Sequence, residues 1–188
     1  MIELPDDEVA LVCGSRSLTE RGPAAEAWAR HTIECIADHA AVLLSGDAPG
    51  PDTWTREHVR RVASLRLRGR FYRLDGLVVD AWDTPLGRWE RAERVPPPGH
   101  PDRRRWPLVR DRAMVRALAL RASRDGRRVA AYGLVDPLPL PGRRKTHGTE
   151  YTLRAAKDAR ITAHAERWDP AAWDELAARI TFEGDTAR

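Results

Sequence analysis

The sequence predicts a single α/β domain with a doubly wound, mainly parallel sheet of about five strands, helices on both faces and a hairpin at one edge. Three observations support this prediction. Val9 to Cys13 is an unbroken apolar run that ends in Gly-Ser-Arg, which is typical of a buried parallel strand. The order strand, glycine turn and helix then occurs twice, and an Asp-Gly pair later separates two β-prone runs. A chain of 188 residues is long enough to enclose one core.

The first two units follow from hydrophobic spacing. After the opening strand, Ala24 to His39 carries apolar residues at helical intervals. Ala41 to Leu44 is a second short buried strand, and its loop leads into a helix from about Thr53 to Leu67 that Asp52 is expected to cap. Two such units favour a parallel sheet over an all-helical or all-β fold.

The middle of the chain changes character at the Asp75-Gly76 pair. This pair predicts an antiparallel hairpin between Phe71–Leu74 and Leu77–Val79, and we expect the second run to belong to the main sheet. Residues 80–107 show no lasting hydrophobic period, and we interpret them as an irregular loop rich in Pro, Arg and Trp at the ligand edge. Its three tryptophans, which a mere linker would not need, are Trp82, Trp89 and Trp106.

Regular periodicity resumes in the last third of the chain. The predicted elements are a helix over Leu108–Ala122, a strand over Val129–Leu134, a helix over Gly148–Ala159, a strand over Ile161–Ala165 and a helix over Pro170–Ile180. The tail 181–188 is expected to be mobile.

Composition narrows the functional classes. Lys and Arg total 32 against 28 Asp and Glu, a formal charge of +4, with the arginines concentrated between Arg88 and Arg112; this argues weakly for an anionic ligand. The two cysteines, Cys13 and Cys35, exclude a disulfide framework and are expected to be buried thiols. The acidic start is not a signal peptide, and no apolar run approaches the roughly 18 residues of a membrane span. We therefore expect a cytoplasmic protein.

Four segments are expected to meet at the carboxyl edge of the sheet, where open α/β sheets bind ligands. They are Gly14-Ser15-Arg16, Gly46 to Asp52, Trp106 to Met114, and His147-Gly148-Thr149. A helix that begins at Gly148-Thr149 points unpaired amides outward, and its dipole favours an anion. Arg16 and Arg110 would then complete neutralisation of a phosphate. The alternative is that Gly148-Thr149 is a plain helix start.

Taken in order, the motifs GSR, SGDAPGPD, DAWDTPLGRW, PLVRDRAM and THGTEYTLRAA resemble the YpsA/YspA-related branch of the SLOG superfamily. This group is distantly similar to LOG-type cytokinin-activating enzymes and DprA-type DNA-processing proteins. The resemblance implies a Rossmann-like fold and a pocket for a nucleotide or a nucleotide-derived ligand. Together with the residue types, it makes the following the candidate ligand-binding residues: Gly14, Ser15, Arg16, Gly46, Asp47, Gly50, Asp52, Trp82, Arg110, Asp111, His147, Gly148, Thr149 and Thr152.

One departure from the LOG-type pattern bears on catalysis. In those enzymes a motif resembling PGGxGTxxE ends in a glutamate that takes part in breaking the N-glycosidic bond, and Thr152 stands at that position here. Threonine is not an acid or base at neutral pH, so catalysis would depend on another carboxylate, and the candidates are Glu150, Asp111 and Asp52. The first hypothesis is therefore a binding module or sensor for a nucleotide-derived ligand. The alternative is a hydrolase of an N-glycosidic or phosphate bond in such a ligand.

Further alternatives remain open from the residues. The carboxylates Asp47, Asp52, Asp83 and Asp111 are candidates to hold a Mg²⁺ that accompanies a nucleotide, although Asp52 also fits a helix cap and Asp111 a partner for Arg110 or Arg112. The run Arg103–Arg105, with nearby tryptophans, also suits a binder of single-stranded nucleic acid. No membrane partner is expected, and the resemblance allows a homodimer.

Overall fold

A computed structural model describes residues 8–62, 68–74, 77–84, 87–94, 106–138 and 148–186. The strands of this part of the chain are β1 (Glu8–Gly14), β2 (Ala40–Ser45), β3 (Arg68–Tyr72), β4 (Leu77–Thr84), β5 (Gly87–Arg94), β6 (Val129–Val135) and β7 (Thr162–Arg167). The helices are α1 (Pro23–Ala37), α2 (Pro51–Arg61), α3 (Trp106–Asp125), α4 (Gly148–Asp158) and α5 (Pro170–Thr186), and a short 3-10 helix covers Arg16–Glu20.

All seven described strands form one sheet in the order β5-β4-β3-β2-β1-β6-β7. Neighbouring strands pair in parallel throughout the series β3-β2-β1-β6-β7. β4 pairs in antiparallel fashion with both of its neighbours, β3 and β5. The predicted α/β class and mainly parallel sheet are confirmed. The strand number of about five is wrong, because β4 and β5 extend the parallel part at one edge.

The antiparallel edge confirms the predicted hairpin between β3 and β4, and it corrects the prediction for the residues that follow. β3 pairs in parallel with β2, so it belongs to the main sheet as much as Leu77–Val79 does. The expected irregular loop over residues 80–107 is wrong in its first half, because β4 continues to Thr84 and β5 pairs with it along its whole length. An antiparallel strand can have one face in water, and edge strands commonly carry charged side chains, so the charged sequence of β5 is compatible with pairing. Residues 95–105 lie outside the described residues.

Two apolar layers cover the sheet. Ala10 and Val12 of β1 face one cluster, which includes Ile33 of α1 and Trp54 of α2. Val9 and Leu11 face the other, which includes Met114 and Leu118 of α3 and Leu153 of α4. Both faces of β1 are therefore dry, which explains why its sequence is apolar without alternation.

Several element ends differ from the predictions. Gly50, with φ +91°, precedes α2 as its N-cap, so Asp52 lies in the first turn and does not cap the helix. The expected mobile tail is helical backbone as far as Thr186. Cys13 is buried as expected, but Cys35 is exposed, because its position on α1 lies away from the face that carries Ile33 and Ile36. None of the described helices combines the length and apolar character needed to cross a bilayer.

Candidate functional site

A cavity of about 360 Å³ opens at the carboxyl end of β1. β1 lies between β2 and β6, and the helix that follows β1 covers one face of the sheet whereas the helix that follows β6 covers the other. Doubly wound folds bind ligands at such a point. The predicted ligand-binding residues that line the cavity are Gly14, Ser15, Arg16, Asp47, Asp52, Arg110, Asp111, Gly148, Thr149 and Thr152. The expected convergence of four distant segments is therefore present.

The turn after β1 forms one wall of the cavity. A Cβ atom at Gly14 would overlap the ring of Pro51 and lie 3.1 Å from the Leu134 carbonyl oxygen, so only glycine lets α2 and β6 approach this closely. Ser15 donates its backbone N–H to the same carbonyl at 2.8 Å. Its hydroxyl oxygen accepts the N–H of Asp136 at 3.1 Å. This bonding fixes the turn, and the exposed Arg16 follows it at the cavity mouth.

The opposite wall is a cluster of three carboxylates around the guanidinium of Arg110. Nη1 of Arg110 donates to Asp47 Oδ1 at 2.7 Å, and Nη2 and Nε donate to Asp111 Oδ1 at 2.8 and 3.0 Å. Asp52 Oδ2 lies 3.6 Å from Nη2. A Cβ atom at Gly46 would lie 2.6 Å from Arg110 Cζ, so glycine at the end of β2 leaves the room that the cluster occupies.

Each carboxylate of the cluster has a further partner. Asp47 Oδ2 accepts the backbone N–H of Leu74 at 3.3 Å, and Asp52 Oδ2 accepts that of Ala48 at 3.2 Å. The hydroxyl of Thr152 lies 3.1 Å from Asp111 Oδ2 and 3.0 Å from the Gly148 carbonyl oxygen. Because the side chain of Thr152 is fully buried, its role is to hold Asp111 and the start of α4 together.

Burial is the main influence on the pKa values of the carboxyl groups in this cluster. It raises the pKa of the Asp52 carboxyl to about 7, although the charge of Arg110 opposes the shift. It also raises the pKa of Asp111 above its ordinary value, again against Arg110. Cys13 lines the cavity too, and burial raises the pKa of its thiol well above the ordinary value, so this cysteine is not an activated nucleophile.

The start of α4 forms the remaining side. Gly148 is the first residue of the helix, and Thr149 is 6% exposed. At β6, a Cβ atom on Gly133 would lie 2.9 Å from Thr149 Cγ2, so this glycine lets α4 pack closely against the strand. The first amides of a helix have no carbonyl partner within it, and they attract negative charge.

The cavity therefore has one side that attracts negative charge and an opposite side with an excess of carboxylates, which we call the carboxylate side. Arg16 and the first turn of α4 favour an anion, whereas Asp47, Asp52 and Asp111 outnumber the single guanidinium of Arg110. Arg110 lines the cavity as expected, but its Nε, Nη1 and Nη2 atoms already donate to Asp47 and Asp111, so its charge is largely balanced within the protein. The partner that was expected for Asp111 is confirmed as Arg110.

Some predicted residues lie elsewhere. Gly46 and Gly50 shape the loop after β2 without lining the cavity, and Glu150 is not among its lining residues. Trp82 and Asp83 lie in β4, where only their backbone is described. His147 and Arg103–Arg105 lie outside the described residues. Within the described ranges, no group of three or more His, Cys, Asp or Glu side chains is arranged to hold a metal ion.

Leu74 lies outside the four predicted segments, whereas Pro107 and Leu108 belong to the predicted segment Trp106–Met114 without being among the candidate ligand-binding residues; all three line the cavity. Leu74 follows β3, and the other two open α3. No sequence signal distinguishes them from ordinary core residues, because their place in the cavity depends on how distant elements pack. Comparison of the chain with models of protein families, with curated proteins and with solved structures gives no match.

Proposed function

We propose that the protein binds a nucleotide or a nucleotide-derived small molecule in the cavity at the end of β1. The observation that carries this proposal is the meeting of an anion-attracting side and a carboxylate side within one cavity of about 360 Å³. A ligand with one phosphate and several hydroxyl or amino groups matches both sides. The resemblance of the motifs to the SLOG superfamily supports the same ligand class.

The phosphate is assigned to the side formed by Arg16, Ser15 and the first turn of α4. Arg16 forms no hydrogen bond or ion pair within 4 Å with a described residue, although its charge acts on Asp111 from a greater distance. The amides that begin α4 add partial positive charge at the same side. Glycine at the first helical position presents no side chain to the approaching oxygens.

The hydroxyl or amino groups of the ligand are assigned to the carboxylate side. Asp52 uses Oδ2 for Ala48 and Arg110, whereas its Oδ1 makes no hydrogen bond with a described residue. A carboxyl group offers acceptor oxygens to hydroxyl and amino donors whether it is ionised or protonated. Because carboxylates outnumber guanidinium groups here, a ligand with many phosphates fits this cavity less well than one with a single phosphate.

A thermal-shift series tests the proposal. AMP, ADP-ribose, NAD and adenosine are added to the wild type and to the variants Arg16→Ala and Arg61→Ala, the second being an exposed arginine of α2 that does not line the cavity. We expect a phosphate-bearing ligand to raise the Tm of the wild type and of Arg61→Ala, and to lose most of this effect with Arg16→Ala. Equal stabilisation of all three proteins would place the ligand elsewhere, and no stabilisation by any compound would contradict the proposal.

A second candidate function is hydrolysis of an N-glycosidic or phosphate bond in the bound ligand. The observation that favours it is a cavity carboxyl, Asp52, whose pKa is raised to about 7, where a side chain can donate or accept a proton at neutral pH. Release of base, ribose phosphate or inorganic phosphate from the stabilising ligand is the assay. Turnover that Asp52→Asn abolishes without loss of binding supports an enzyme, and the absence of any product leaves the binding module alone.

A further inference from the structure

The outer side of α3 carries arginines that the cavity does not use. Arg112, Arg116 and Arg124 are exposed. We call these three residues the α3 basic face. The remaining exposed positions between Arg112 and Arg124 are Ala113, Leu120 and Ser123, so no carboxylate lies within the face; the exposed Asp125 follows its last arginine. At 1.5 Å per residue, it extends for about 18 Å along the helix.

Among the described residues, the arginines of this face have no ion-pair partner, unlike Arg30 of α1. On α1, Arg30 pairs with Glu26 at 2.7 Å and with Glu57 of α2 at 2.6 Å. In contrast, no residue of the α3 basic face forms an ion pair with another described residue. Like charges four residues apart destabilise a helix, so Arg112 and Arg116 repel each other in the free protein. A polyanion would remove this repulsion.

One guanidinium of the face is held in place. Arg112 lies over the ring of Tyr151 of α4, with its Cζ atom 5.4 Å from the ring centroid. A guanidinium stacked on a ring keeps its N–H groups at the edge available for hydrogen bonds. Holding the side chain this way lowers the entropy lost when it binds a partner. This end of the face therefore presents a fixed donor group.

We propose that the α3 basic face docks the phosphate backbone of a nucleic acid. Arginine is suited to phosphate because its planar donors match two oxygens at once. The length of about 18 Å spans about five phosphates of one strand at 3.4 Å per nucleotide. The contacts are to the backbone, so binding is independent of base sequence. This function goes beyond ligand binding in the cavity and uses none of the cavity residues.

The apolar residues of α3 distinguish this partner from an anionic membrane. A helix that lies on a bilayer needs a free apolar side rich in Leu, Phe or Trp. On α3 that side is buried, because Met114, Val115 and Leu118 pack in the core. Leu120, 42% exposed, is the one large apolar residue that the described part of α3 presents to solvent. A single leucine among arginines suits a phosphate backbone better than acyl chains.

Fluorescence anisotropy tests the proposal with a labelled 20-nucleotide single strand and a labelled duplex, each of two unrelated sequences. The variant Arg112→Gln/Arg116→Gln/Arg124→Gln is compared with Arg61→Gln/Arg167→Gln/Arg179→Gln, which removes the same charge from exposed positions outside α3. We expect the wild type to bind at least one of the two forms with little dependence on sequence. Neutralising about three phosphates predicts a roughly 40-fold loss of affinity between 50 and 200 mM salt.

The α3 variant is expected to lose most of this affinity and most of the salt dependence, whereas the control variant keeps both. An equal loss in the two variants would overturn the proposal, because net charge alone would then explain binding. Binding to phosphatidylserine vesicles without binding to either nucleic acid would also overturn it. Thermal unfolding and the ligand-induced Tm shift report on folding and on the cavity, so failure of this proposal is distinguishable from failure of the proposed small-molecule function.

Discussion

Replacing Asp52 with asparagine should make the protein more stable at high pH. The pKa of Asp52 is about 7 because of burial, against about 3.9 in an unfolded chain. The folded protein therefore retains a proton that the unfolded chain loses, so the free energy of unfolding falls as pH rises from about 4 to about 7. Three pKa units correspond to about 4 kcal/mol, which is the largest gain expected for Asp52→Asn at pH 8. At pH 4 both proteins carry a neutral side chain, and we expect similar stabilities.

Urea unfolding at pH values from 4 to 8 measures this difference. For a protein of this size, about 4 kcal/mol corresponds to a Tm difference of about 10 °C, so thermal scans serve as a second readout. Asp136→Asn is the matched control, because Asp136 is also buried but pairs with Arg21 at 2.9 Å, away from Arg110. The reasoning is refuted if the stabilities of the wild type and Asp52→Asn change with pH in parallel, or if Asp136→Asn is stabilised at high pH as much as Asp52→Asn. Parallel profiles would mean that Asp52 is ionised in the folded protein.

Three further outcomes are expected. Gly46→Ala should lower the free energy of unfolding in urea by about 2–4 kcal/mol, because the added Cβ atom meets the Arg110 cluster. Gly148→Ala, where the Cβ atom has open space, should change it by less than about 0.5 kcal/mol. Equal costs would show that Gly46 is not crowded in this way. Labelling with a thiol reagent at neutral pH should modify the exposed Cys35 in the native protein and the buried Cys13 only after unfolding, as mass spectrometry of digests will show. Thr152→Val should cost about 1–3 kcal/mol, because it leaves a buried carboxylate without its hydroxyl partner, and an unchanged urea midpoint would argue against that bond.

The sequence predicts the parallel half of the fold well because burial on both faces leaves a strong pattern. The run from Val9 to Cys13 predicts β1, and the helical spacing of Ile33 and Ile36 predicts the buried face of α1. β5 was not predicted, since Gly87–Arg94 alternates charged residues with few apolar ones. An edge strand gains its pairing from β4, and a pattern search within β5 alone does not detect this.

The sequence predicts which segments meet at the candidate site, but it does not predict which charged side chains pair with each other there. Glycine turns and helix starts indicate where strands end, so the convergence of Arg16, Asp52 and Thr149 follows from topology. The pairing of Arg110 with Asp47 joins residues that are 63 positions apart, and nothing local specifies it. Whether a guanidinium faces a ligand or a carboxylate depends on side-chain packing, which sequence periodicity does not contain.

The place of β1 between β2 and β6 has a consequence for the order in which the protein is made. Val9 pairs with Val42, 33 positions away, and with Val129, 120 positions away. A growing chain can join β1 to β2 early, but pairing over the longer separation waits for the second half to be synthesised and is entropically slower. The pocket cannot be complete before α3 and the start of α4 have been synthesised, because they supply Arg110, Asp111 and Thr149.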